Sequence, residues 1–152
     1  LVRDYFISYA SENRAAASEL VAALELLTGS CFVDHRDIPA GHPRYRDRLI
    51  EGINDCECIV VLLSPHAQAS DEVYREVQAA HDRGRRRIGV WLGARESYTN
   101  GTLEMLLGSS QDIVWGPADD AHAVAQKIRA NATVSTLRTQ LRQYQSVVTG
   151  CD

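Results

Sequence analysis

The sequence predicts an α/β fold, a flavodoxin-like five-stranded parallel sheet of order 2-1-3-4-5 with helices on both faces. Three observations carry it. Strand-like and helix-like segments alternate along the chain of 152 residues, the pattern of a parallel sheet covered on both sides. The run "CIVVLLS", 58–64, is apolar without a break, as a central strand buried on both faces must be. Parallel neighbours need right-handed crossovers, which leave few topologies, and 2-1-3-4-5 is the common five-stranded one.

Each element has its own signal. Residues 3–9 combine aromatic and β-branched side chains and form the first strand. Ser11 then offers an N-cap, although Arg14 stands where a capping box would want Glu. Ala16, Leu20, Ala23 or Leu24, and Leu27 recur at helical spacing until Gly29, a C-cap candidate, so 11–28 form a helix. "SCFVD", 30–34, is a short second strand, and the "HRDIPAGHP" that follows it contains Pro39, Gly41 and Pro43 and is a loop. Residues 44–54 are helical, with Leu49, Ile50 and Ile53 on one side. After the central strand, Ser70 caps a helix over 71–83 that turns Val73, Val77 and Ala80 inward and ends at Gly84. "RRIGVWL", 86–92, is the fourth strand, 93–110 a less regular connection, and "DIVW", 112–115, the fifth strand. A helix over 118–130 uses Ala121, Val124, Ala125 and Ile128, and a separate amphipathic helix over 133–148 carries Val134, Leu137, Leu141, Tyr144 and Val148 as its stripe.

Composition narrows the class. A net charge of -4 argues against a general polyanion binder, so no direct nucleic-acid partner is expected. The one basic cluster, Arg83, Arg85, Arg86 and Arg87, reads as cations at a helix C-terminus. Cys31, Cys56, Cys58 and Cys151 form no CxxC pair, which fits a reduced, cytoplasmic chain without a metal site. No apolar run approaches the ~20 residues of a membrane span, so no membrane partner is expected. The chain opens without Met and is expected to be a piece of a longer protein.

The predicted strand order puts the switch point between the first and third strands, and ligands of such sheets sit outside the carboxyl ends there. Those ends are Ser8-Tyr9-Ala10 and Ser64-Pro65, with the loop 34–43 bordering the same crevice. No GxGxxG, Walker or GxSxG motif is present, and a receiver domain's acidic positions hold Ser8-Tyr9 and Ser64 instead. His35, His42, His66, His81 and His122 form no pair at i, i+4 and read as surface residues. Glu72 and Glu76 are more informative. They lie at i and i+4 on the helix after the third strand, on a face shared with Val73 and Val77. Two such carboxylates repel and raise one pKa. Glu76 reads either as an ordinary solvated Glu or as a perturbed carboxylate looking into the crevice.

Taken as a set, the motifs resemble a TIR (Toll/interleukin-1 receptor type) domain over about residues 3–130. "DYFISYASEN" resembles the opening box of that family, and "FVDHRDIPAGHPRYRDRLIEGI" the second segment with its BB loop, including Asp34, Asp37-Ile38 and Gly41. "IVVLLSPHAQASDEVYREV" resembles the third box, with Ser64-Pro65 and a Ser followed six residues later by Glu. The expected organisation is a TIR domain over 1–132 and a helical extension or linker to another domain over 133–152.

The family contains adaptor modules and, in plants and bacteria, enzymes that break the nicotinamide–ribose bond of NAD+. Catalytic members use the Glu at the position of Glu76, so the resemblance implies a bacterial-type NAD+ nucleosidase releasing nicotinamide with ADP-ribose or a cyclic isomer. NAD+ is then the substrate and no cofactor is needed. Ser8, Tyr9, Ala10, Ser11, Arg36, Ile38, Ser70 and Glu72 are the expected substrate-binding residues, with helix N-terminal NH groups and Arg36 on the pyrophosphate. Pro39, Gly41 and Pro43 are the expected contact loop for self-association with other TIR domains, and antiviral defence or signalling is the implied setting. The chain departs from the family at Glu72, where a Trp is frequent; Tyr74, Tyr9 and Trp115 are the aromatic candidates to replace it. The alternatives are a non-catalytic module acting through TIR–TIR contacts and a nucleoside-processing transferase of similar architecture.

Overall fold

The computed structural model describes residues 3–93, 101–107 and 113–149. Five parallel strands, β1 (Arg3–Ser8), β2 (Cys31–Phe32), β3 (Cys56–Leu63), β4 (Arg86–Leu92) and β5 (Ile113–Trp115), form one sheet in the order β2-β1-β3-β4-β5. The expected topology is thus observed. Its register pairs Ser8 with Val61 and Leu63 with Trp91.

The helices are α1 (Arg14–Leu26), α2 (Asp34–Asp37), α3 (Tyr45–Asn54), α4 (Pro65–Gln68), α5 (Asp71–Asp82), α6 (Gly101–Leu107) and α7 (Ala121–Thr149). Alternation along each strand divides the core. Tyr5, Ile7, Val60, Leu62, Ile88 and Val90 face Leu20 and Leu24 of α1 and Val124 and Ile128 of α7. Phe6, Ile59, Val61, Leu63 and Trp91 face Ile53, Val73, Val77 and Leu103 on the other side. Phe6 and Phe32 stack with ring centroids 5.2 Å apart, joining β1 to β2. The period of two puts Ser8 on the Phe6 face, the side of the sheet that α5 covers.

Several local expectations shift. Ser11 is not the α1 cap: a short 3-10 turn, Ser11–Asn13, comes first, α1 starts at Arg14, and the Ser11 hydroxyl bonds to Glu12 Oε1 at 2.8 Å. At the other end Thr28, not Gly29, takes the left-handed backbone with φ 65. Gly29 answers a different need, since a Cβ there would lie 2.9 Å from the Tyr5 ring. The loop after β2 contains one helical turn, α2, and Ser64-Pro65 opens another, α4, with Ala67 N bonded to Ser64 Oγ at 3.0 Å. The two expected C-terminal helices are one continuous α7. Residues 94–100 and 108–110 of the expected 93–110 connection, with Gln111 and with Asp112 of "DIVW", lie outside the described residues.

Candidate active site

The site begins with a cap. Ser70 Oγ accepts the Val73 amide at 3.2 Å and starts α5, whose buried stripe is Val73, Glu76, Val77 and Ala80. A helix registered by three apolar side chains against the sheet carries its fourth inward residue with them. That residue is Glu76, only 6% exposed, among the few buried polar side chains described, with Ser8 and Ser64. Ser8 ends β1 on the same face, and its hydroxyl donates to Glu76 Oε1 at 2.8 Å. Among the described residues no cation pairs with Glu76. Burial pushes its carboxyl up to about 8; the Ser8 hydrogen bond pulls downward, while the charges of Asp34 and Glu72 add to the rise.

A second carboxylate lies close enough for its charge to reach Glu76. Asp34, at the start of α2, accepts the Tyr9 hydroxyl at 3.1 Å, the Tyr45 hydroxyl at 3.0 Å and the His35 amide at 2.7 Å. These bonds tie the end of β1 to α2 and to the first residue of α3. The Tyr9 hydroxyl also contacts His35 Nδ1, and the two rings meet edge to face. Burial, and then Asp34, hold both tyrosine hydroxyls above their usual range. Burial lowers the His35 imidazole, and the Arg14 cation nearby lowers it further. Arg14 is exposed at the start of α1 and its charge also reaches Tyr9.

Of the residues expected from the sequence, the fold brings Ser8, Tyr9 and Glu72 near Glu76, while Ser70 serves as the cap of α5. Glu72 is exposed one turn before Glu76, so the two do not share burial. Ala10 and Ile38, each 2% exposed, pack beneath the crevice with Phe6 and Phe32 and offer it no side-chain surface. Ser11 is exposed on the 3-10 turn, whose Asn13 amide already bonds Ala10 O at 2.8 Å. Arg36 is turned away: its guanidinium bonds Glu25 at 2.7 Å and Cys31 O at 2.7 Å along the flank of α1. Pro39, Gly41 and Pro43 are exposed, and Gly41 takes a left-handed φ of 75 that favours glycine.

Sequence reasoning did not assign roles at the site to Tyr45, His35 and Arg14. An aromatic residue opening a helix just after a Pro/Gly loop was the available signal for Tyr45, and the missing capping-box Glu the signal for Arg14. A cavity of about 350 Å³ at the opposite end of the sheet, between Tyr5, Leu24, Arg86 and Leu137, contains none of these groups.

The comparisons speak to the fold and to the family. A search of curated proteins finds no match. Among solved structures, the TIR domain of the Toll-related receptor TRR-2 from Hydra magnipapillata superposes with TM-score 0.63 at 19% identity, covering 91% of this chain and 98% of that one. The TIR domains of the activated Roq1 resistosome, which directly recognises the pathogen effector XopQ, give TM-score 0.67 at 15% identity, with 85% and 98% covered. A 2-desoxiribosyltransferase from Leishmania mexicana gives 0.55 at 12% identity, with 82% and 97% covered. At these identities the likenesses speak to the fold. The sequence itself matches the family model described as "TIR domain" over residues 6–128, most of the chain, and the chain therefore belongs to the TIR domain family.

Proposed function

We propose that this TIR domain is an NAD+ nucleosidase with Glu76 as its catalytic carboxylate. The observation that carries the reading is the burial of Glu76 without a cation, at the switch-point crevice, with a pKa near neutrality. A buried carboxylate costs stability unless something binds it, and such groups concentrate at functional sites. NAD+ presents the complementary group. Its nicotinamide is cationic at N1 and departs as a neutral ring, so no proton need be delivered to the leaving group. What needs stabilising is the positive charge that grows on the ribose as the C1′–N bond breaks.

Glu76 meets that charge in a water-poor setting, where electrostatic stabilisation is strongest. The cationic ring also lowers the carboxyl's pKa on binding, so the proton held in the empty site leaves as the substrate enters. Ser8 orients Oε1. Tyr9 and Tyr45, clasped on Asp34, wall the crevice at the ribose and ring level, in the region where Glu72 replaces the frequent Trp of the family. Arg14, rather than Arg36, is the cation beside the crevice for the pyrophosphate. Water attacking C1′ yields ADP-ribose, and an internal nucleophile yields a cyclic isomer. NAD+ is substrate, and no cofactor enters. Assembly of copies through the exposed 39–43 loop excludes water and activates the site. A cytoplasmic, bacterial defence or signalling role fits such an activity.

Concentrated protein incubated with NAD+ is expected to release nicotinamide, measured by chromatography, and Glu76→Gln to reduce the rate at least ~100-fold, the scale of losing a preorganised charge. Equal release by Glu76→Gln overturns the assignment. The exposed Glu72 favours a second reading, a TIR interaction module without turnover. The absence of nicotinamide release at any protein concentration or under crowding decides for that module.

A further inference from the structure

At the end of the sheet away from Glu76 lies the cavity of about 350 Å³ between β1, β3, β4, α1 and α7. That volume is in the lower part of the ~300–1,000 Å³ range of small-molecule sites. Its lining has two parts. Leu24, Leu27 and Leu137 supply apolar surface, and Tyr5, Arg86 and Arg129 supply hydrogen-bond donors. Tyr5 is only 6% exposed, yet among the described residues its hydroxyl has no hydrogen-bond partner. A buried donor left without an acceptor costs free energy, and a group bound in the cavity supplies the acceptor. Arg86 reaches the carbonyls of Ala132 and Asn131 with Nη1 and Nη2 at 3.3 and 3.5 Å. These are long bonds, and they engage two of the five N–H donors of the guanidinium. The Arg129 charge reaches the Tyr5 hydroxyl from α7.

We propose that this cavity is a binding site for a small carboxylate with a short apolar chain, its head held by Arg86 and the Tyr5 hydroxyl and its chain laid against Leu24, Leu27 and Leu137. A guanidinium and a carboxylate make the strong, two-pronged kind of charge-assisted hydrogen bond. The Tyr5 hydroxyl adds a neutral donor, and Arg129 a second positive charge. The other titratable groups on the lining are engaged, screened or neutral. Asp4 accepts the Ser30 amide at 2.8 Å and the Ser30 hydroxyl at 3.3 Å. Glu57 is exposed, where water and salt screen it. Burial pushes the Cys58 thiol up to about 12, so it carries no charge near neutrality. A cationic ligand would instead meet two guanidinium groups. A bound carboxylate touches the sheet, α1 and α7 at once, and it stabilises the fold in proportion to its occupancy. The cavity shares no residue with the crevice, and the inference does not depend on the chemistry of Glu76.

Calorimetric titration and thermal melting of the whole chain with hexanoate test it. Hexanoate is expected to bind one per chain with a Kd on the order of 1 mM, the scale for a ligand of about eight heavy atoms. At about ten times Kd it is expected to raise the melting temperature by a few degrees. Arg86→Gln is expected to weaken binding at least ~10-fold. Tyr5→Phe is expected to weaken it ~10-fold and to leave the melting of the free chain unchanged, since the hydroxyl bonds no described residue. 1-Hexanol is expected to bind at least ~10-fold more weakly than hexanoate, and hexylammonium more weakly still. Arg14→Gln, beside the crevice at the other end, is expected to leave hexanoate binding unchanged. No binding of hexanoate overturns the proposal. So does equal or tighter binding of 1-hexanol or hexylammonium, which makes the apolar or the acidic lining the recognising part. Loss of binding in Arg14→Gln places the anion in the crevice and overturns it as well. Tyr5→Phe that melts lower without ligand and binds hexanoate as the parent does assigns the hydroxyl to the fold and removes it from the site.

Discussion

Glu76 and Asp34 are carboxylates near enough to feel each other's charge, and they meet their surroundings in different ways. Asp34 remains partly exposed and collects three donors from Tyr9, Tyr45 and His35. Glu76 is buried and has, among the described residues, the Ser8 hydroxyl alone. The first arrangement satisfies a carboxylate and uses it to fasten three chain segments together. The second leaves one under-solvated and responsive to whatever cation arrives. Two like groups acquire different roles because their environments separate them. Asp34 fastens the segments around it, and Glu76 is the carboxylate to which the proposed chemistry is assigned.

The largest test of that contrast lies in stability. In the unfolded chain Glu76 ionises near 4.5, and in the folded one near 8. Between those values the folded state still holds a proton that the unfolded state has released, so raising the pH favours unfolding. Stability is therefore lost progressively from about pH 4.5 to 8 and levels off above. Glu76→Gln does not titrate, and its advantage over the parent is expected to grow across that window to a few kcal/mol at most. Denaturant titrations at several pH values measure it. A constant difference across the window would show that Glu76 is not buried as a carboxylate.

Next in size are two substitutions with opposite signs. Ser8→Ala removes the one bond that lowers the Glu76 pKa, so the midpoint of the pH profile of kcat/KM for nicotinamide release moves up, with a ~10-fold lower rate near neutrality. Asp34→Asn removes a charge that raises it, so the midpoint moves down, and the loosened Tyr9 and Tyr45 raise KM a few-fold. If both variants shift the midpoint in one direction, the two residues do not act on the same carboxylate.

Much of this was legible beforehand, for identifiable reasons. The unbroken apolar β3 and the capped, periodic α5 specify a parallel sheet and the side on which Glu76 falls. Family likeness then singles out Glu76, whose burial the periodicity of Val73 and Val77 already suggests. The Asp34 clasp left no such mark, because hydrogen bonds between Tyr9, Asp34 and Tyr45 join segments far apart in sequence and impose no period. Arg36 was assigned to the crevice by its loop, but Glu25 on the neighbouring helix captures it. The four-residue helices α2 and α4 are too short for periodicity, although Ser64-Pro65 is a start signal in itself. The break expected within α7 has no marker in the sequence: Asn131-Ala132-Thr133 contains no Gly or Pro to end a helix, and the helix continues.

The smallest effect belongs to Glu72. It lies one turn from Glu76, yet it is exposed, and its charge contributes less to the rise than that of Asp34. Water and salt screen an exposed charge, with a Debye length of about 8 Å at physiological ionic strength. Glu72→Gln is therefore expected to lower the midpoint of kcat/KM by less than Asp34→Asn does, and high salt is expected to erase the difference from the parent. The Asp34→Asn shift acts through a partly buried path and is expected to persist in the same salt. A Glu72→Gln shift as large and as salt-resistant as that of Asp34→Asn would mean that Glu72 turns inward in the working enzyme and takes the part assigned here to Asp34.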